Sequence, residues 1–118
     1  MDVIQYLNEI GCDTNNALER VNKDKTFYVS CLIDLIQDQN FNQLIDAVNQ
    51  GNLEQAFFRA HTLKGILANL GITPFYQEIV PLVELLRESN MKDAKIPCNL
   101  FIVKYEKFIN DLKFKVSY

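Results

Sequence analysis

The sequence predicts an all-α protein, and three observations lead to this fold class. Gly and Pro are scarce, at 4 and 3 residues, whereas all-β folds use both heavily in turns. Apolar residues recur at spacings of three and four along most of the chain, which is the pattern of amphipathic helices. Glycines and capping residues stand where these patterns start and stop. We therefore expect an up-and-down antiparallel four-helix bundle with one or two short N-terminal helices.

The length and composition predict one compact unit. The chain has 118 residues and a mass of 13.7 kDa, which suits one domain and is too little for two. Hydrophobic residues make up 48% and charged residues 23%, the usual mixture of a protein with a buried core. With no repeat, linker or low-complexity segment in the sequence, residues 1–118 are expected to form a single domain.

The first half of the chain predicts two short helices and two longer ones. The short ones are residues 2–10, which Gly11 ends, and residues 13–21, which Asp13 caps. A longer helix is expected over residues 23–39. Its apolar stripe consists of Phe27, Tyr28, Cys31, Leu32, Leu35 and Ile36. Asn40 is expected to break or bend this helix before the pattern continues to Gly51.

Three more helices are expected in the second half. One begins after Asn52, with Gln55 three residues later in a capping-box arrangement. This helix runs to Leu70, and Gly71 ends it. The next covers residues 73–88, with Thr73 as the N-cap and Pro74 as the first helical residue. Pro81 lies inside it and is expected to kink it and to introduce a bulge.

The last helix is expected over residues 97–116, after a polar connection of residues 89–96. Pro97 would start it, because proline suits the first turn of a helix. Its predicted core stripe is Phe101, Tyr105, Phe108 and Leu112.

Charge and cysteine content exclude several classes of function. A net charge of −3 gives no basic footprint for nucleic acid. No apolar stretch reaches the ~18 residues of a membrane span, and the polar N-terminus lacks the basic start of a signal peptide, so we expect a cytoplasmic protein. Cys12, Cys31 and Cys98 are widely spaced, so they are interpreted as small core residues, with no disulfide framework and no metal site.

The chain contains a single histidine, His61, and helical spacing places it on the outward face of its helix. At 100° per residue the opposite face collects the core residues. These are Ala56, Ala60, Leu63, Ile66, Leu67 and Leu70. Residues three and four apart are neighbours on a helix surface. The neighbours of His61 are Glu54, Phe57, Phe58, Lys64, Gly65 and Ala68.

This surface suits the transfer of a phosphoryl group. A neutral, exposed imidazole is a nucleophile that can accept a phosphoryl group and give it back. The ammonium of Lys64 can offset part of the added negative charge. Gly65 leaves clearance beside the ring for a partner's active site, and Phe57 and Phe58, with Glu54 and Ala68 at the edges, would form a docking surface.

The residues around His61 resemble a known signature. Ala60-His61-Thr62-Leu63-Lys64-Gly65, followed by Ala68-Asn69-Leu70-Gly71, is similar to the motif of histidine-containing phosphotransfer (HPt) domains of two-component phosphorelays. The resemblance implies a four-helix bundle, a phosphorylated His61, Lys64 near the phosphate and Gly65 for clearance. It also implies response-regulator receiver domains as donor and acceptor, a sensor histidine kinase upstream, and a Mg²⁺ ion that belongs to the receiver domain.

The sequence departs from the family's pattern at three places. Ile66 and Leu67 stand where the family often has small residues, and both are expected on the core side. The family often has Gln or Glu on the neighbouring helix, whereas counting places Val83 there. We expect a bulge at Pro81, the third departure, to bring Glu84 or Gln77 into that role.

Three interpretations remain open from the sequence. The first is a phosphorelay intermediate that is no enzyme by itself, because the sequence has no Gly-rich phosphate loop and no nucleotide motif. The second is the phosphoacceptor module of a larger hybrid or chemotaxis-type histidine kinase, although the chain's own start favours a free-standing protein. The third is a non-catalytic helical adaptor in which His61 has no chemical role.

Overall fold

A computed structural model describes residues 2–88 and 90–116, which form seven α-helices and no β-strand. In chain order the helices are α1 (Val3–Glu9), α2 (Thr14–Arg20), α3 (Lys25–Gln37), α4 (Gln39–Gln50), α5 (Leu53–Leu70), α6 (Thr73–Glu88) and α7 (Met91–Val116). The prediction of an all-α bundle is confirmed. None of the helices in these two ranges has the length and apolar character needed to cross a bilayer.

Helices α4, α5, α6 and α7 form the body of the bundle. The most extensive helix contacts join α4 to α5 and α5 to α6, followed by those between α6 and α7. Only short connections separate these helices, so neighbours run antiparallel. Helix α3 contacts α5 and α7, while α1 packs on α7 and α2 on α5. The buried apolar side chains form one cluster. The molecule is elongated, with extents of 41 × 24 × 21 Å.

Side-chain caps set most of the helix boundaries, as the sequence predicts. The carboxylate of Asp13 accepts from the Asn16 N–H at 3.2 Å, and the Asn52 side chain accepts from the Gln55 N–H at 3.1 Å. Gly51 and Gly71 end α4 and α5 with φ of 70°, a left-handed conformation that glycine adopts without steric cost.

The break between α3 and α4 lies at Asp38, so its prediction at Asn40 is wrong by two residues. Asp38 has extended backbone angles, and its carboxylate accepts a hydrogen bond from the Asn40 N–H at 2.8 Å. A short acidic side chain competes in this way for backbone donors and starts a new helix. Asn40 instead lies in the first turn of α4.

The start of α6 also differs from its prediction. Thr73 is the first helical residue, so Pro74 is the second. The Thr73 hydroxyl caps no α6 donor; it accepts from the Asp13 N–H at 3.2 Å and donates to the Gly71 carbonyl at 3.2 Å. Thr73 therefore links the α5–α6 turn to the N-terminus of α2, a tertiary contact that local capping rules do not contain.

Helix α7 begins at Met91, earlier than the predicted start at Pro97. The Asn90 side chain accepts from the Asp93 N–H at 3.0 Å and caps the helix. The expected polar connection of residues 89–96 is mostly helical, and its first residue, Ser89, lies outside the described residues. Pro97 is tolerated inside α7 at the loss of one backbone donor.

Pro81 does not introduce the expected bulge, because α6 continues as an α-helix from Thr73 to Glu88. Pro81 and Pro97 line one groove between α6 and α7, together with Leu85 and Leu100. The two helical positions that lack a backbone N–H donor therefore line the same groove.

The predicted core stripes are mostly confirmed. In α7 all four predicted residues are buried, and in α3 Tyr28 is buried whereas Phe27 is 53% exposed. Cys12 and Cys98 are buried and Cys31 is half-buried, all as free thiols. Burial raises the pKa of the Cys12 and Cys98 thiols to about 11, which disfavours the reactive thiolate.

Gly71 and Gly51 form a matched pair for testing the α5–α6 turn. A Cβ atom on Gly71 would lie 2.4 Å from the Asp13 carbonyl oxygen, whereas one on Gly51 would meet nothing within 4 Å. We expect Gly51→Ala to lower the free energy of unfolding by about 1–2 kcal/mol, the cost of a left-handed alanine. Gly71→Ala should cost about 1–3 kcal/mol more, because the backbone of Asp13 must move. Urea denaturation measures both, and equal losses would show that the contact with Asp13 is unimportant.

Two buried tyrosines predict opposite effects of removing a hydroxyl. The Tyr28 hydroxyl donates to the Leu70 carbonyl at 2.6 Å, whereas the buried Tyr105 hydroxyl has no hydrogen-bond partner among the described residues. We expect Tyr28→Phe to destabilise the fold by about 1 kcal/mol, and Tyr105→Phe to be neutral or stabilising, because an unpaired buried hydroxyl costs about 1–3 kcal/mol. Thermal denaturation of both variants and of the parent protein measures the change in stability. A larger loss of stability for Tyr105→Phe than for Tyr28→Phe would contradict this prediction.

Candidate functional site

His61 lies on the exposed face of α5. The opposite face of this helix is the core face that the sequence predicts: Ala56, Ala60, Leu63 and Leu67 are buried. Ile66 and Leu70 are half-buried, and both line a groove beside α3 with Cys31 and Leu35. The helix that carries the imidazole is therefore held along its full apolar side.

The Phe57 ring lies beside the imidazole of His61, one turn earlier on α5. The two ring centroids are 5.7 Å apart, and the planes are tilted by 36°. In the described part of the chain, His61 makes no hydrogen bond and no ion pair with another side chain. No hydrogen bond within the described residues therefore occupies the ring nitrogens, and both are available to react with an electrophile.

Lys64 and Gly65 follow His61 by one turn. Lys64 is half-buried and forms no ion pair with any carboxylate in residues 2–88 and 90–116, so its ammonium is not neutralised. Gly65 is exposed, and a Cβ atom built on it would meet nothing within 4 Å. The fold itself therefore does not require glycine at this position.

The residues predicted to dock a partner differ in exposure. Glu54 is exposed, Phe57 and Ala68 are half-buried, and Phe58 is 53% exposed. The guanidinium of Arg59 lies 5.0 Å from the centroid of the Phe58 ring. The predicted surface thus has Phe58 as its prominent apolar side chain, whereas Phe57 belongs partly to the core.

No side chain of α6 (Thr73–Glu88) forms a hydrogen bond with His61. Val83, the position opposite His61 by counting, is completely buried. Glu84 is exposed and pairs with Arg87 at 3.5 Å. Gln77 is exposed, and neither it nor Glu84 has a hydrogen bond to His61 within the described residues. Because α6 is regular at Pro81, no bulge shifts its register toward the imidazole.

Two arginines that the sequence reasoning missed contact residues near His61 on α5. The guanidinium of Arg87 lies 5.0 Å from the centroid of the Phe57 ring. Arg20 donates to the carbonyls of Ala68 and Asn69 at 2.7 and 2.9 Å, where α5 ends with unpaired acceptors. Counting outward from the Gly71 turn would have placed Arg87 opposite Phe57, whereas no local signal connects Arg20 with Ala68.

The chemistry available here is that of one nucleophile with a lysine one turn away on the same helix. An exposed neutral imidazole can attack phosphorus, and cations nearby can stabilise the charge that it acquires. Across the described ranges, no three His, Cys, Asp or Glu side chains converge closely enough to hold a metal ion.

Comparison with known families gives one match. The family model of the Hpt domain matches residues 35–102, more than half of the chain. The matched segment contains all of α4, α5 and α6 and the first part of α7. No curated protein and no solved structure matches the chain significantly.

Proposed function

The chain belongs to the Hpt domain family, and from this premise we propose that it is a phosphorelay intermediate that carries a phosphoryl group on His61. The observation that carries this proposal is the state of the imidazole. It is the single histidine of the chain, exposed on a helix that is buried along its other side. Hpt domains take part in two-component phosphorelays as carriers, and this residue alone in the chain offers the imidazole that they use.

The proposed reaction is a transfer between a receiver-domain aspartate and His61. An imidazole nitrogen attacks phosphorus in line, the N–P bond forms, and the P–O bond to the aspartate breaks. The aspartate carboxylate leaves, and the proton on the other ring nitrogen is released to solvent. A Mg²⁺ ion bound to the receiver domain supplies charge neutralisation. Transfer to a second receiver domain reverses these steps.

Lys64 would stabilise the phosphorylated state. The phosphoryl group adds about −2 charge, and Lys64 lies one turn away on the same face without a carboxylate partner in the described ranges. An exposed pair contributes at most ~1 kcal/mol, so we expect Lys64 to modulate the lifetime of the phosphohistidine rather than to determine it.

Docking would use the surface around His61. Phe58 supplies exposed apolar area, Glu54 and Ala68 lie on the same face, and Gly65 leaves space beside the imidazole. This arrangement suits a small, transient interface in which a receiver domain encloses the ring. The phosphoryl group would come to the relay from an upstream sensor histidine kinase.

Substitution of His61 tests the proposal directly. A purified receiver domain, phosphorylated with acetyl phosphate, is mixed with the protein, and phosphate that is acid-labile and alkali-stable is quantified. We expect uptake by the parent protein and none by His61→Gln, because no other histidine exists in the chain. Incubation with radiolabelled ATP alone should label neither protein.

The controls separate this function from the alternatives. Glu9→Gln, at an exposed position of α1, leaves His61 in place and should still be labelled. No labelling of the parent by any of several receiver domains, or equal labelling of His61→Gln, would leave a helical adaptor as the better interpretation. Labelling by ATP alone would instead show a kinase activity.

We expect Gly65→Ala to raise the stability of the fold and to lower the rate of phosphoryl transfer. Alanine at this helical, unobstructed position should raise the free energy of unfolding by about 0.5–1 kcal/mol. If the glycine serves clearance, the added methyl group should slow transfer from the receiver domain. Urea denaturation and the transfer assay measure the two effects. A variant that is stabilised and transfers at the parent rate would show that Gly65 has no role in access.

A further inference from the structure

A three-part contact connects α6 to His61 through an aromatic ring. The guanidinium of Arg87 lies 5.0 Å from the Phe57 centroid, and the His61 ring lies 5.7 Å from the same centroid. Glu84, one turn before Arg87 on α6, holds that guanidinium in an ion pair at 3.5 Å. Phe57 is thus contacted by a cation from α6 and by the imidazole from α5.

Within residues 2–88 and 90–116, no side chain forms a hydrogen bond that orients the imidazole. A ring attached to an sp³ carbon rotates in a broad torsional well unless its surroundings restrict it. A hydrogen bond from α6 would do so, but Val83 is buried and apolar at the position where counting places such a residue. Within the described residues, Phe57 is the ring that restricts His61.

Phe57 can restrict the His61 ring only if its own ring is held in place. It is half-buried and packs against the core, so part of its ring reaches the surface. The guanidinium of Arg87 lies over the Phe57 ring, and a guanidinium over an aromatic face is attracted by the ring's quadrupole. Arg87 therefore limits the movement of the Phe57 ring from the side of α6.

We propose that Arg87 is a positioning residue for His61, which acts by holding Phe57 against the imidazole. In this arrangement, packing of the Phe57 ring against the imidazole takes the place of an orienting hydrogen bond. Glu84 restricts Arg87 and thereby acts on His61 without touching it. The consequence for transfer rates rests on the proposed function, whereas the effect on the orientation of the ring does not.

The orientation can be observed by NMR, because a single histidine gives one set of imidazole signals. The Phe57 ring current should displace the His61 ring-proton shifts from those of an unstructured peptide, and Phe57→Leu should remove this displacement. Arg87→Met, which keeps a flexible unbranched side chain but loses the guanidinium and its charge, should reduce it and broaden the signals. Arg87→Lys, which restores a cation, should recover part of it.

Phe58→Leu is the matched control. Phe58 is adjacent in sequence and lies 5.0 Å from another guanidinium, but no ring contact joins it to His61 among the described residues. Its substitution should leave the His61 signals unchanged. Unchanged signals in Arg87→Met, or an equal change in Phe58→Leu, would overturn the proposal. Because the Arg87 side chain is 50% exposed, its variants should fold, which circular dichroism verifies.

Reactivity supplies an independent readout without any receiver domain. Phosphoramidate donates its phosphoryl group to an imidazole nitrogen; the new N–P bond forms, the donor's P–N bond breaks, and ammonia leaves. We expect Arg87→Met to slow this reaction roughly two- to fivefold, the effect of one exposed cation–π contact, and Arg87→Lys to recover part of the rate. A rate equal to that of the parent would contradict the positioning role.

The two proposals fail in different ways. If the NMR and phosphoramidate results hold but no receiver domain phosphorylates His61, the relay function is wrong and the positioning by Arg87 stands. If receiver domains phosphorylate His61 and Arg87→Met changes neither its NMR signals nor its reactivity, the relay function stands and Arg87 has no positioning role.

Discussion

The close approach of Gly71 to Asp13 is the constraint on which the rest of the structure depends. The Asp13 N–H donates to the Gly71 carbonyl at 2.8 Å, and the space beside the Gly71 Cα is filled by the Asp13 backbone. This contact fixes where α5 ends and where α6 can begin. The register of the two antiparallel helices follows from it, and that register brings Arg87 to Phe57.

The same turn closes the N-terminal part of the chain against the bundle. Thr73 bonds to both Gly71 and Asp13, and Arg20 satisfies two carbonyls at the end of α5. These bonds join α2, α5 and α6 close to one end of the helix that carries His61. The proposed function would gain from this rigid support of His61, because small misplacements of a nucleophile cost reaction rate.

The charge around His61 differs from the charge of the whole protein. The chain carries a net charge of −3, yet Lys64 follows His61 by one turn on α5, and Arg87, paired with Glu84, lies over the Phe57 ring that contacts the imidazole. The summed charge of the chain could not reveal this local arrangement. A nearby cation suits the anionic phosphohistidine of the proposed function, and exposed charges farther away than a Debye length are largely screened.

The sequence by itself determined the helical class, most helix boundaries and the face on which His61 lies, because hydrophobic periodicity, left-handed glycines and side-chain caps are local properties of the chain. It misplaced the α3–α4 break and the start of α7, where Asp38 and Asn90 compete as caps with neighbouring candidates. Only the tertiary structure decided what surrounds the imidazole. The contact of Arg87 with Phe57 and the bonds of Arg20 depend on the packing of separate helices, and no local pattern encodes the distance between side chains that are remote in sequence.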